Sequence, residues 1–308
     1  MTLYDVPAPA KLNLFLHIVG RRADGYHLLQ SVFRFIDLCD TLSFEARADG
    51  VIERAYELPG VAPGQDLVVR AARALQAATG TKQGARIGLD KRIPQGGGLG
   101  GGSSDAATTL IALNRLWGCG LSRRELMALG LPLGADVPVF IFGQSAFAEG
   151  VGEDLQAVAL PPAAYLVLQP EASVPTAEIF SAPDLTRDSK HVRITDFLAL
   201  PNFGFGRNDM EAVVFRLYPQ IEACVRELAG LGIRVRMSGS GACLFAEYPT
   251  LSAASQAEGV LAKFENTATM RGADKTVSET QPEFQLGFRL IKACAGLNEH
   301  PLRSWIAS

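Results

Sequence analysis

Six of the seven residues from 96 to 102 are glycine, in a chain with 31 glycines among 308 residues. The run reads Pro94-Gln-Gly-Gly-Gly-Leu-Gly-Gly-Gly-Ser-Ser-Asp105. Glycines let backbone N–H groups turn toward a ligand and let that ligand come close. A helix opening directly behind them adds unpaired N–H groups and the positive end of its dipole. Together these make a cradle for phosphate. Lys91 and Arg92 just upstream add positive charge, and Ser103 and Ser104 offer hydroxyls to a phosphate or its Mg²⁺. A flexible linker is the ordinary alternative, but a linker is rarely pinned between a strand and an amphipathic helix.

The choice of phosphate ligand is narrower than the cradle. A P-loop needs GxxxxGK[ST]; Gly97 and Gly102 have the spacing, but Ser103 stands where the lysine belongs. Gly96, Gly98 and Gly101 satisfy GxGxxG, so a nucleotide-cofactor oxidoreductase is formally open. The motif is weak alone, and here it follows a β-rich segment far from the N-terminus. A GxSxG elbow is lacking.

Three further sites carry chemistry. Lys11 shares a strand face with Asn13, and an inward lysine on a half-buried strand needs an anionic partner. Asp136 lies in Gly134-Ala-Asp-Val-Pro138, inside an apolar segment. It is either a helix cap or a buried functional carboxylate. Beside a hydroxyl, such a carboxylate can accept a proton during phosphoryl transfer, with a lysine holding its charge. Nothing in the spacing brings Lys11 and Asp136 together. Ser238-Gly-Ser-Gly241 reads as a tight turn between two strands, beside a ligand or as a plain hairpin.

The elements that must position these groups follow from pattern. In residues 11–18, Leu12, Leu14, Leu16 and Ile18 alternate with Lys11, Asn13, Phe15 and His17, which gives a strand with one core face and one polar-bearing face. Asp24-Gly25 is a turn dipeptide, and 28–37 and 41–47 are further strands. Asp66 caps a helix over 67–79 closed by Gly80. A strand over 85–93 leads into the glycine run, and the helix behind it opens at Ser103-Ser104-Asp105 and runs to Trp117, with Ala106, Leu110, Leu113 and Trp117 on one face. Ser122 to Glu125 is a capping box for a short helix ending at Gly130. Downstream lie strands at 164–169, 233–237, 242–248 and 284–292, and two helices flanking Pro219. Residues 264–283 are polar and aperiodic and read as a mobile loop insertion. The mixture is α+β in two layers, with a boundary near 150–160.

Composition bounds the rest. Lys+Arg 29 against Asp+Glu 32 gives a formal charge of −3, which offers no global attraction to nucleic acid or anionic lipid. The five cysteines form no CxxC pair, so neither a disulfide framework nor a zinc site is indicated, and buried reduced thiols in a cytoplasmic protein are expected. The N-terminus lacks a signal layout, and the apolar stretches are broken by Pro, Gly or charge, so a membrane span is not expected. The four histidines lack metal-ligand spacing.

Four segments taken in order, PAPAKLNLFLHIVGRRADGYHLLQSVF, IPQGGGLGGGSSDAATTLIALNRLW, LGADVPVFIFGQSAFAEGVGE and MSGSGACLFAEY, resemble the GHMP kinase superfamily. The resemblance covers most of residues 5–248 and is weaker over 155–235. It is closest to the members that phosphorylate a cytidine diphosphate-linked polyol of the non-mevalonate isoprenoid route. It implies a two-domain fold, residues 1–155 binding ATP and 156–308 the substrate, with the active site in the cleft between. Asp136 is then the general base and Lys11 neutralises and orients it. Asn13 contacts the substrate. Tyr26 and Phe180 are the stacking walls for cytosine and His27 reads its edge; Phe33, Val151 and Thr176 line that pocket. Lys91, Pro94 and the stretch Gly96 to Ser104, Leu99 and Gly100 included, bind ATP. Gly239 and Gly241 approach the substrate phosphates or the site floor. ATP with Mg²⁺ is the implied cofactor pair, without an assigned protein ligand for the metal. The implied partners are small molecules, with no nucleic acid or membrane, and the protein acts as a monomer or weak homodimer. Two departures stand out: Asp105, where a small or amide residue is common, and the 264–283 insertion. Homoserine and mevalonate kinases of the same superfamily and a non-catalytic ATP-binding protein are the remaining alternatives; Gly25-Tyr26-His27 with Phe180 favours the cytidyl substrate.

Overall fold

The computed structural model describes residues 1–57, 61–62, 64–200, 204–272 and 287–306. Strands β1 (Thr2–Arg21) and β2 (His27–Arg47) form a long antiparallel ribbon, with Lys11 opposite Phe35 and Asn13 opposite Phe33. The Asp24-Gly25 turn closes it, Gly25 taking a φ of 93° that its missing Cβ permits. The two strands expected at 28–37 and 41–47 are one continuous strand. Its length lets it pair with β1, with β4 (Gly84–Asp90), with β5 (Ala146–Glu149) and with β10 (Phe288–Leu297) at successive positions.

The sheet order is β3 (Ile52–Arg54), β4, β2, β10, β7 (Ala164–Pro170), β9 (Leu244–Tyr248), β8 (Arg236–Met237), with β6 (Asp154–Ala157) on β5. β3 and β4 are parallel; the other pairs are antiparallel. β10 is the join, pairing with β7 along its length and with β2 through Gly296 and Leu297.

Local rules account for several helices. α1 (Leu67–Thr79) starts at Asp66, whose Oδ1 accepts the Val68 N–H at 2.9 Å, and ends at Gly80 with φ 67°. Such a cap is worth about 1 kcal/mol. α3 (Arg123–Gly130) carries the expected reciprocal Ser122–Glu125 box. α2 (Gly101–Leu116) begins two residues earlier than expected, at a left-handed Gly100. It is also buried all round: Ala107, Ile111 and Ala112 are as inaccessible as Ala106, Leu110 and Leu113. It is wedged among β1, α1 and α4 (Val137–Phe142), so one apolar face does not suffice.

The second half adds α5 (Thr176–Ser181) and α6 (Ile194–Ala199), then α7 (Glu211–Leu217) and α8 (Pro219–Gly230) around Pro219 as expected, and α9 (Leu251–Gly272). α9 overturns part of the loop expected at 264–283. Residues 264–272 continue a helix begun at Leu251, and 273–283 lie outside the described residues.

Three cores result. One joins Phe44, Leu75, Leu110 and Phe140 on the N-terminal side. Another joins Leu168, Ile179, Val214 and Leu244 on the C-terminal side. A third, with Leu12, Phe15, Ile36, Leu99, Tyr165 and Phe245, spans both. The chain end returns across the expected boundary, and Leu302 and Ile306 are buried in the N-terminal core. Cys224, Cys243 and Cys294 are buried free thiols, with Cys39 and Cys119 half-buried. Among the described residues no helix is long and apolar enough to cross a membrane.

β1 differs from its expected character. Lys11, Asn13, Phe15 and His17 are as buried as the leucine face. Loops cover that side and its outer edge: the Lys11 N–H donates to the Leu99 carbonyl at 2.9 Å and the Leu16 N–H to the Arg207 carbonyl at 2.9 Å. A buried lysine and a buried asparagine side by side demand partners, and these define the site.

Candidate active site

Three backbone segments are laced together at the centre. The Ser238 Oγ accepts the Asn13 N–H at 3.2 Å and donates to the Gly98 carbonyl at 3.0 Å. The Cys243 N–H donates to the Gly97 carbonyl at 3.1 Å. The contact is close enough to require glycine. A Cβ on Gly98, at φ +75°, would lie 2.0 Å from the Ser238 carbonyl oxygen. One on Gly239 would lie 3.2 Å from the Gly98 Cα. The two glycine motifs therefore meet through their main chains. Asn208 secures the second from below, donating to the Met237 and Gly239 carbonyls at 3.0 and 2.7 Å.

Lys11 and Asp136 meet over this junction. The Lys11 Nζ lies 3.3 Å from Asp136 Oδ2, donates to Asn13 Oδ1 at 2.5 Å, and sits 5.3 Å from the centre of the Phe33 ring. Asn13 is itself fixed, its Nδ2 donating to Ser31 Oγ at 2.9 Å, and Ser31 Oγ donating to the Phe15 carbonyl at 2.6 Å. Lys11 is buried while about a third of the Asp136 side chain is exposed (34%). Asp136 occupies the residue before α4, but its carboxylate makes no capping bond there among the described residues. The expected cap bond is therefore not made, and the side chain is half-buried rather than buried, lining a cavity.

That cavity measures about 940 Å³ and runs from the glycine loop, past Asp136, to Tyr26 and Phe180. Pro94, Gly96 to Gly98, Gly100 to Gly102 and Ser103 line one end. α2 leaves the N–H groups of its first turn without intrahelical partners, and they head this end. Three expected members of the loop behave otherwise. Leu99 points into the third core and Ser104 is fully buried, so neither side chain lines the cavity. Lys91 does line it, but its ammonium is held by Asp40 and, at 2.8 Å, by Asp105. Its charge is already answered by two carboxylates and is not a free phosphate ligand. Asp40 also accepts the Arg92 and Ile93 N–H groups at 2.6 and 2.8 Å, so Lys91 fixes the strand-to-loop junction. Burial pushes the Asp105 carboxyl up to about 7, with Lys91 opposing and Asp40 reinforcing the shift.

A metal ion can be tested against this donor set. Among the described residues no cluster of three His, Cys, Asp or Glu side chains could hold one. Asp105 Oδ1 and Ser104 Oγ are buried and unpartnered among the described residues; Ser104 does not line the cavity, and Asp105, which does, has its other oxygen on Lys91. Ser103 alone presents a hydroxyl at the head of α2. This fits Mg²⁺ arriving on nucleotide phosphates, since that ion keeps several waters and takes only one or two protein oxygens.

The other end is aromatic. His27 stacks on Phe180, ring centres 4.9 Å apart and planes 24° from parallel. Tyr26 is 63% exposed at the rim. Phe180 is thus faced by His27 rather than by Tyr26. Val151 and Thr176 line the same region, the Thr176 and Ser240 hydroxyls sharing a 2.7 Å hydrogen bond. Gly239 lines the cavity, whereas Gly241 lies behind it against the Met237 sulfur.

Sequence reasoning missed four features. Ser238 and Ser240 were visible as the serines of the second turn, but their partners Asn13 and Thr176 were not. Arg187, which donates to His27 Nε2 at 3.0 Å, sits in a loop without a motif. An apolar mouth beyond the glycine loop, with Val61, Leu67 and Leu89, is assembled from α1, β4 and a loop.

Residues 66–144 match the GHMP kinases N terminal domain and residues 198–266 the GHMP kinases C terminal domain. The chain is 76% identical over 308 residues to 4-diphosphocytidyl-2-C-methyl-D-erythritol kinase of Bordetella bronchiseptica, covering 100% of both chains. It is 53% identical over 304 residues to the enzyme of that name from Aromatoleum aromaticum, covering 99% of this chain and 97% of the other. A crystal structure of 4-(cytidine 5'-diphospho)-2C-methyl-D-erythritol kinase superposes with TM-score 0.69 at 37% identity, over 85% of this chain and 96% of that one. Methanococcus jannaschii mevalonate kinase shares the fold alone, with TM-score 0.60 at 16% identity over 97% and 98% of the two chains.

Proposed function

The chain belongs to the 4-diphosphocytidyl-2-C-methyl-D-erythritol kinases within the GHMP kinase family, and from that premise we propose how its residues divide the work. The reaction transfers the γ-phosphoryl group of ATP to the 2-hydroxyl of 4-diphosphocytidyl-2-C-methyl-D-erythritol, giving the 2-phosphate and ADP. It belongs to non-mevalonate isoprenoid precursor synthesis.

Asp136 accepts the hydroxyl proton as the substrate oxygen attacks phosphorus and the bond to the β,γ-bridging oxygen breaks. Lys11, 3.3 Å away, holds the carboxylate in place. Asn13 pins Lys11 and borders the acceptor. The loop N–H groups from Gly96 to Ser103 receive the phosphates, where fixed donors offset charge that develops on the leaving β-phosphate. Mg²⁺ arriving with the nucleotide would supply neutralising charge to the phosphates, and Ser103 is the residue that would hold it. The apolar mouth at Val61, Leu67 and Leu89 takes the adenine. Tyr26 and Phe180 provide the stacking surfaces for the cytosine, Phe180 through the face that His27 does not cover, and His27 reads its edge.

Residues 1–155 supply most of the nucleotide side and 156–308 the opposing wall of the cleft. The enzyme works on small molecules in the cytoplasm, as a monomer or weak homodimer.

The observation that carries this reading is the Lys11–Asp136 pair standing midway along one cavity, with a phosphate cradle at one end and aromatic rings at the other. The test is ADP release with ATP and Mg²⁺ across three acceptors: the cytidyl substrate, homoserine and mevalonate. Turnover only with the cytidyl substrate is expected. Equal turnover with another acceptor, or none with the cytidyl compound, overturns it.

A further inference from the structure

We propose that Arg187 is a positioning and specificity residue, holding His27 in the one tautomer that accepts cytosine and rejects uracil. This rests on the reading of His27 as the group that meets the base edge.

The Arg187 Nε–H donates to His27 Nε2 at 3.0 Å. A guanidinium is a permanent donor and never an acceptor. The nitrogen it meets must therefore be unprotonated, and the proton of a neutral imidazole then resides on Nδ1. His27 is kept neutral. Burial depresses its pKa most, and the positive charges of Arg187 and Arg21 add to the effect. The charged groups acting on it are Arg187 from the segment after α5 and Arg21 at the end of β1; Asp24 of the β1–β2 turn lines the same cavity.

The clamp itself is rigid. Arg187 donates through one terminal nitrogen to the Phe180 and Ala182 carbonyls at 3.1 and 2.7 Å, and through the other to the Leu185 carbonyl at 3.0 Å. It thereby also fixes the backbone that carries the Phe180 ring, on which His27 stacks. His27 lines the cavity, so Nδ1–H is the one ring donor left for a ligand.

Pyrimidine chemistry turns this into selection. Cytosine presents an acceptor at N3, beside the acceptor O2. Uracil presents N3–H, a donor. A donor-only imidazole pairs with the first and opposes the second. Freed from Arg187, the imidazole can move its proton to Nε2 and offer an acceptor to uracil.

The test compares wild type, Arg187→Met, His27→Ala and the double variant, each with the cytidyl substrate and its uridyl analogue. Loss of one neutral hydrogen bond is worth up to about tenfold. Arg187→Met should raise the cytidyl KM by about tenfold and cut the cytidyl-over-uridyl preference by a similar factor, with kcat within about twofold. In the His27→Ala background it should add less than about twofold. A KM rise equal for both ligands, or one that persists without His27, overturns the proposal and leaves Arg187 a loop brace. Nitrogen NMR of the wild-type chain gives a second readout that needs no variant. Nε2 should resonate as an unprotonated nitrogen and Nδ1 as a protonated one; the reverse tautomer, or an imidazolium near neutral pH, overturns it. If wild type turns over neither ligand, the kinase reading fails and the specificity role with it. If it turns over the cytidyl substrate with an unchanged preference in Arg187→Met, only the role of Arg187 fails.

Discussion

Asp136→Asn separates chemistry from binding. Asparagine keeps the size and one oxygen of the carboxylate but cannot take up a proton. The protein should fold. The Lys11 ammonium retains Asn13 Oδ1 at 2.5 Å and the Phe33 ring at 5.3 Å, so it is not left bare. Asp136 is about one-third exposed but Lys11 is buried, so loss of the charge partner should cost roughly 1–3 kcal/mol. A fall in Tm of several degrees is expected, with the fold retained. ATP affinity should stay within about threefold, because the phosphates are held by loop N–H groups that the substitution does not touch. The chemical step should fall by roughly 10²–10⁴-fold, the usual contribution of a positioned base. That corresponds to about 3–5 kcal/mol of barrier. Rapid-quench single turnover with labelled ATP reads the step directly, and calorimetric titration reads ATP binding. Lys11→Met should cost a comparable factor, and the double variant little more than either single one, since a base and its holder act as a unit. Turnover of Asp136→Asn within about fivefold of wild type would remove it as the base. A large loss of ATP affinity would place its role in binding instead.

Three other outcomes follow from the same contacts. Gly98→Ala forces a side chain into a left-handed position and against the Ser238 carbonyl at 2.0 Å, so denaturant unfolding should show a loss of about 2–5 kcal/mol and ATP KM should rise; an unchanged midpoint would mean the two glycine motifs do not meet. Tyr26→Ala and Phe180→Ala should each raise the cytidyl KM by several-fold, the worth of an aromatic stack, with kcat nearly unchanged; unaltered KM in both would refute the sandwich. His300 is fully buried, and burial followed by Arg123 pushes its pKa down to about 3. The unfolded chain therefore binds a proton there that the native state refuses between about pH 3 and 6.5, and stability falls as the solution is acidified through that window. His300→Asn can still accept the Leu302 N–H and should flatten this part of the pH–stability curve by up to about 1.4 kcal/mol per unit; parallel curves would contradict the assignment.

Legibility tracked the range of the interactions involved. α1 was readable between Asp66 and Gly80, and α3 from Ser122, because capping joins residues two to four apart. The continuity of β2 was not, since its pairing with four strands is a property of the sheet. Residues 264–272 looked like loop because their composition is polar; they are helical as the continuation of a helix that begins at Leu251. Lys91 looked like a phosphate ligand because Asp40, far upstream, is invisible as its partner in a linear reading.

The sequence by itself determined the chemistry available: a glycine run before a helix, a lysine on a strand, an aspartate in an apolar segment, and an aromatic cluster after a turn. Backbone freedom and side-chain type are local properties, and they survive any fold. Tertiary structure alone decided which of those groups share a space. It set Lys11 against Asp136, diverted Lys91 to two carboxylates, turned Leu99 and Ser104 away from the cavity, and gave His27 an arginine that no motif announces. Each is a consequence of burial, where a charge or donor takes the nearest available partner regardless of its distance along the chain.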